Sequence, residues 1–185
     1  SMWRDTDAVE SWSWDGCEGS RTGVVVYADA DTVQLLVNGR SVGRKKVKEC
    51  KALFSKVTYE PGEIEAIALD AAGRETGRAR LISATGATKL KLSPERTLLR
   101  ANGQDLCFLD IDLVGENGVT RSSVDQKLTV EVTGAGTLQA FGSARPHMAE
   151  DFVSQSHTTY YGKALAVIRA GYEPGEIRVK VSGKD

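Results

Sequence analysis

Tyr59-Glu60-Pro61-Gly62-Glu63-Ile64 returns unchanged as Tyr172-Glu173-Pro174-Gly175-Glu176-Ile177, about one small domain further along the chain. Proline presets φ near −65° for the first central position of a turn, and glycine accepts positive φ at the second. Glu-Pro-Gly-Glu therefore predicts a type II turn in each copy. Apolar-rich sequence precedes each copy and alternating sequence follows it, Glu65–Leu69 in the first and Arg178–Val181 in the second. A strand–turn–strand corner at equivalent places in two halves predicts two domains of one architecture. The chain's 185 residues allow two domains, each of about 90 to 100 residues and large enough to bury a modest core.

Outward from these corners, apolar and polar residues alternate with period two, and no segment holds a helical period over three turns. In the first half, strands are expected at Gly23–Ala28, Thr32–Val37, Arg40–Lys46, Ala52–Tyr59, Glu63–Asp70 and Glu75–Ser83. Asn38-Gly39 is the strongest hairpin signal, because both positions tolerate positive φ. The small, polar stretch Ala84–Thr88 marks a boundary. In the second half, strands are expected at Lys89–Ser93, Thr97–Arg100, Leu106–Val114, Lys127–Thr133, Thr137–Phe141, Tyr160–Arg169 and Glu176–Ser182, with Gly142–Thr159 as a long loop. Short strands at this spacing predict an all-β fold of two tandem immunoglobulin-like β-sandwiches. The expected layout is a tag and linker remnant over residues 1–11, one sandwich over 12–85 and another over 88–185.

Net charge is −1, so there is no basic footprint for nucleic acid or an anionic membrane. No apolar run is long enough for a transmembrane helix. No signal peptide is visible, and Ser1-Met2 reads as a cloning remnant ahead of an excised segment. Cys17, Cys50 and Cys107 form no metal-type spacing. Cys107, within Leu106–Leu109, reads as a small buried hydrophobe, and three free thiols are expected, with a Cys17–Cys50 disulfide as the alternative. No cofactor and no metal site is expected.

Three groups of residues carry a resemblance. They are Trp12-Ser13-Trp14 with Glu18-Gly19, the strand Val24–Tyr27, and Val33-Gln34-Leu35-Leu36-Val37-Asn38-Gly39-Arg40-Ser41-Val42-Gly43, with Tyr59-Glu60-Pro61-Gly62-Glu63 downstream. This series resembles the C-terminal accessory region of bacterial glycoside hydrolase family 2, β-galactosidase-like enzymes. Ala101–Leu106, Asn117-Gly118 and Tyr161–Ala166 are similar to the immunoglobulin-like domain that follows there. Ser11 stands where many relatives carry His before the first Trp, so a contact of that His with the barrel does not carry over. The resemblance implies that the chemistry lies in an upstream (β/α)₈ barrel. Such a barrel needs about 250 residues, more than the 185 present. The chain is thus expected to be inactive alone and non-catalytic. Its expected roles are to support the barrel, mediate oligomer contacts or shape substrate access. The compartment is left open.

Trp12 and Trp14 are two apart and on a strand would share a face. The functional reading is an aromatic platform for carbohydrate; the structural reading is packing against the barrel or the sandwich core. Trp3 reads as part of the linker. Asp110 and Asp112 share a strand face, as a carboxylate pair or as the solvent side of a half-buried strand. Arg44-Lys45-Lys46 reads as protection of an edge strand. His147 and His157 read as solvated loop histidines lacking zinc geometry, yet Gly142–Thr159 remains the first place to look for a ligand or partner. Tyr59 and Tyr172 are candidates for the tyrosine-corner device. Two alternatives stand beside the accessory reading: a carbohydrate-binding module built on Trp12 and Trp14, and a surface adhesin or spacer.

Overall fold

The computed structural model describes residues 8–183, so Trp3 lies outside the described residues. Thirteen strands and no helix occur among them. Contacts divide the chain into two units between Ser83 and Ala84.

The first unit contains β1 (Arg21–Tyr27), β2 (Thr32–Val37), β3 (Arg40–Lys46), β4 (Lys51–Thr58), β5 (Glu63–Leu69) and β6 (Glu75–Ile82). β1 and β4 form one antiparallel sheet, and the other has the order β3-β2-β5-β6. Alternation buries Val33, Leu35 and Val37 from β2, and they meet Ala52, Phe54 and Val57 from β4. A bulge between the Thr22 and Val24 pairings of β1 with β4 lets both Phe54 and Val57 face inward although they are three apart. Arg44, Lys45 and Lys46 lie exposed on β3, at the edge of its sheet, where lysine and arginine discourage strand addition.

The second unit contains β7 (Lys89–Pro94), β8 (Leu106–Val114), β9 (Lys127–Gly134), β10 (Gly136–Gly142), β11 (Ser156–Thr158), β12 (Lys163–Ala170) and β13 (Ile177–Gly183). Its sheets have the orders β10-β12-β8-β7 and β11-β9-β13. Cys107, Leu109, Ile111 and Leu113 point inward from β8 against Leu128 and Val130 of β9 and Ala164, Ala166 and Ile168 of β12.

Three expectations need correction here. Thr97–Arg100 belongs to no strand; the backbone instead makes a connection whose Arg100 N–H donates to the Asp105 carboxylate at 2.9 Å. The loop Gly142–Thr159 is not wholly irregular, because β11 within it pairs with β9. The type II turn is supported in the first copy only: Gly62 has φ of +128°, whereas Gly175 lies outside the positive region.

Both hexapeptides occupy the same topological position. Each carries the chain from one sheet to the other, from β4 to β5 and from β12 to β13. In the first unit this crossing interlocks with the Asn-Gly hairpin. Asn38 and Gly39 have φ of 49° and 75°, the two positive values of a type I′ turn. The Asn38 side chain then reaches the Pro-Gly turn. Its amide donates to Pro61 O at 3.1 Å and its carbonyl oxygen accepts the Glu63 N–H at 2.8 Å. A Cβ on Gly62 would lie 2.0 Å from Asn38 Oδ1.

Gly62 is thus required twice, by its backbone angle and by the amide resting on it. Gly62→Ala should destabilise the first unit by about 1–3 kcal/mol, read as a lower denaturation midpoint. Gly39→Ala, with nothing within 4 Å of its Cβ, should cost less. Equal losses in the two variants would show that the Asn38 contact is irrelevant.

Candidate functional site

The corner of the first unit gathers the sequence's most distinctive residues. Ser11–Trp14 lies outside every strand, so the expectation that Trp12 and Trp14 share a strand face is not met. Trp12 is 3% exposed and belongs to the core. Its ring meets Tyr59 edge-on, with centroids 5.0 Å apart, and its indole N–H donates to Glu60 O at 3.0 Å. The buried Ser83 hydroxyl donates to Trp12 O and accepts the Gly62 N–H at 3.1 Å. Trp14 is half-buried against the same core. Its backbone N–H donates to the Tyr59 hydroxyl at 3.0 Å and its indole N–H to Ser11 O at 3.2 Å. Glu60 also pairs with Arg40.

This is a cross-braced corner. An indole and a phenol bury their apolar bodies and direct their polar ends to backbone partners, the usual arrangement for buried Trp and Tyr. Trp12 therefore presents no face for a sugar to stack on; any exposed aromatic surface here belongs to Trp14. Tyr59 ties a strand crossing to backbone far away in sequence, a longer reach than the tyrosine corner, whose hydroxyl bonds backbone only a few residues upstream. Tyr172 does not, since it is 78% exposed. In the sequence, Asn38 reads only as a hairpin residue and Ser83 only as a strand end, yet both bond to the Pro-Gly turn. The Asn38-Gly39 and Pro61-Gly62 turn signals are the trace that the Asn38 contact leaves in the sequence; Ser83 leaves none.

The other candidates lie in the second unit. Asp110 is exposed on β8, while half-buried Asp112 pairs with Lys163 at 3.6 Å and accepts the Thr120 hydroxyl at 3.4 Å. His147 is exposed. His157 is not the solvated loop residue expected: it is fully buried on β11. Phe152 stacks on its ring at 5.8 Å and Phe141 meets it edge-on at 5.9 Å. Its Nδ1 lies 3.0 Å from Thr158 O and 3.5 Å from Glu150 Oε2. Glu150 closes the loop by accepting the Thr158 N–H and hydroxyl, each at 2.9 Å. Burial pushes this carboxyl up, but the Thr158 bonds, with His157 and Lys127 nearby, outweigh it and hold Glu150 below the ordinary value. No cluster of His, Cys, Asp or Glu among the described residues is arranged to hold a metal. Cys17 and Cys50 are exposed free thiols, and Cys107 is a buried one.

Taken together, the corner and the sandwiches define a tandem β-sandwich module organised around packing. The comparisons make this specific. The family model for the glycoside hydrolase family 2 C-terminal domain 5 matches residues 90–185, and a domain of unknown function, DUF4982, matches residues 19–77. The chain belongs to the glycoside hydrolase family 2 C-terminal domain family. It is 28% identical to the β-galactosidase BoGH2A of Bacteroides ovatus over 188 residues, covering all of this chain and 22% of that protein. Among solved structures, a glycosyl hydrolase family 2 member from Bacteroides cellulosilyticus is 31% identical. That match has a TM-score of 0.87 over 95% of this chain and 24% of the relative. A β-glycosidase from Bacteroides vulgatus shares the fold, at 23% identity and TM-score 0.79 over 95% of this chain and 22% of that one. The chain thus spans less than a quarter of the length of these relatives.

Two outcomes follow from the geometry. Tyr59→Phe should cost the first unit about 1 kcal/mol by removing the hydroxyl that accepts the Trp14 N–H, whereas Tyr172→Phe should leave the denaturation midpoint unchanged. An equal response in the two variants would remove the distinction between the corners. For Glu150, the depressed folded pKa means its contribution is complete above the ordinary carboxyl value of 4.5. That contribution fades as pH falls through the lower folded value. Carboxyl NMR should give a Glu150 midpoint below the ordinary 4.5, accompanied by a shift of the Thr158 amide. A midpoint at or above 4.5 would contradict the Thr158 latch.

Proposed function

We propose that this chain is the non-catalytic C-terminal region of a β-galactosidase-like glycoside hydrolase family 2 enzyme, supporting an upstream catalytic barrel. The observation that carries this reading is a C-terminal-domain family match combined with likeness of the whole chain to a β-galactosidase. The corner chemistry supplies a physical means. Ser11–Trp14 is bonded to Tyr59, Glu60 and Ser83, so chain arriving ahead of it would be held firmly by the first sandwich. Oligomer contacts and the shaping of substrate access are further roles that such a braced module would serve in the longer enzyme. Retaining glycosidases need two carboxyl groups about 5 Å apart on a rigid frame; of the pair that the sequence suggested, Asp110 is exposed on β8 and Asp112 is paired with Lys163.

The carbohydrate-binding alternative would rest on Trp14, whose ring is half-buried rather than enclosed. Two measurements on the 185-residue chain separate the readings. A chromogenic β-galactoside should not be hydrolysed; turnover that survives purification would overturn the accessory role. Tryptophan fluorescence should stay flat during titration with galactosides and oligosaccharides. Saturable quenching that disappears in Trp14→Ala would establish the binding module instead.

A further inference from the structure

The two sandwich corners share a topology and are filled differently. In the first unit, the segment preceding β1 delivers Trp12 into the core beside the buried Tyr59. In the second unit, the corresponding segment precedes β8 and carries no aromatic residue. It places Leu99 partly against the core and leaves Leu98 86% exposed. Tyr172, the counterpart of Tyr59, turns outward and lies over Gly103, where a Cβ would come within 2.4 Å of its ring. Neither aromatic plug is present. A half-open cavity of about 660 Å³ remains, its apolar wall made by Leu92, Leu109, Ile168, Ile177 and Val179 with Cys107 beside them, and Arg96, Thr97, Glu173 and Glu176 also lining it. That volume lies within the range of small-molecule sites, about 300–1,000 Å³.

The wall facing this space is held in place. Glu95 N–H donates to Phe108 O at 2.9 Å, and the Cys107 thiol donates to Arg96 O at 3.2 Å. Asn102 Oδ1 accepts the N–H groups of Gln104 and Asp105, each at 2.9 Å. Of the charged lining residues, Arg96 pairs with Glu95 at 3.3 Å and Glu176 with Arg178 at 2.9 Å, while Glu173 lies exposed to solvent. A sugar buried here would leave most of its hydroxyls against aliphatic wall, each an unmade hydrogen bond. A flat apolar ring would not.

We propose that this corner of the second sandwich is a binding site for an uncharged aromatic small molecule, which takes the place that Trp12 holds in the first. The inference rests on the internal comparison of the two corners and is independent of the glycosidase reading. Its test is amide NMR of the 185-residue chain titrated with indole, the ring that fills the sister corner. Saturable shifts are expected at Leu99, Cys107, Ala170 and Ile177 and not at Trp12 or Tyr59. Leu99→Trp, which fills the cavity from within, should abolish them. Ala101→Trp, at the exposed rim, provides a second block if the first variant fails to fold. A flat response up to the solubility of indole would overturn the proposal, as would shifts that persist in a folded blocking variant. Cavity shifts with methyl β-galactoside but not with indole would overturn the ligand class. Concentration-dependent shifts at the same amides without ligand would assign the cavity to a side chain of a second copy and overturn the small-molecule reading.

Discussion

The Asn38 side-chain amide is bonded to both flanks of Gly62, and the end of the first sandwich is assembled around that clasp. It joins two elements that local sequence would form separately, a type I′ hairpin and a Pro-Gly crossing. The hairpin must hold Asn38 at positive φ for its side chain to reach the crossing, and the crossing must present a residue without Cβ. With both conditions met, the Gly62 N–H faces Ser83 and Glu60 O faces Trp12. The tryptophan is then fixed by the backbone of the turn as well as by burial. The order of dependence runs from backbone angle to side-chain clasp to aromatic packing.

Identical hexapeptides therefore do not produce identical corners. Proline and glycine bias the backbone locally, but the tyrosine's position depends on what the preceding segment supplies. Near Tyr59 that segment brings an indole to pack on and a backbone N–H to accept. Near Tyr172 it brings glycine, and the ring lies over the missing Cβ of Gly103 with its outer face exposed. Burial of an aromatic ring contributes through the apolar area removed from water; Tyr172 rests on Gly103 instead and leaves the apolar space of its corner unfilled. The backbones differ as well: Gly62 adopts positive φ and Gly175 does not.

Most strands were legible because period-two alternation and turn chemistry agree along this chain. β2, β3 and β8 have the limits that alternation and the Asn38-Gly39 turn imply. Where those cues are absent, the reading failed for identifiable reasons. Thr97–Arg100 is apolar enough for a strand, but it turns back through the Arg100–Asp105 bond. Ser156–Thr158 is too short and polar to show alternation; it pairs with β9 and is also bonded to Glu150, six residues before it in sequence. His157 is buried because Phe141 and Phe152 enclose it, a contact that no local pattern encodes. The corner was legible as a set of distinctive residues but not as a geometry. Trp12 and Trp14 were two apart, and only the irregular course of Ser11–Trp14 decides that one ring is enclosed and the other half-open.

The residues that mark the family are, in this structure, residues that pack. Trp12 fills, Asn38 clasps, Gly62 yields space and Tyr59 braces. None of these tasks depends on a proton transfer or on a bound substrate, and each fails on a displacement of about an ångström. Such constraints preserve architecture while leaving exposed and cavity-lining positions free to vary. Divergence between the two sandwiches should therefore concentrate where the brace is missing. In this chain that place is the second corner, where Leu98, Leu99 and Tyr172 stand in for a buried tryptophan and tyrosine. A fold that retains its turn and gives up its plug keeps its topology and gains an apolar space. The recurring hexapeptide thus fixes where a corner lies, and the segment before it determines whether that corner is closed or open to a ligand.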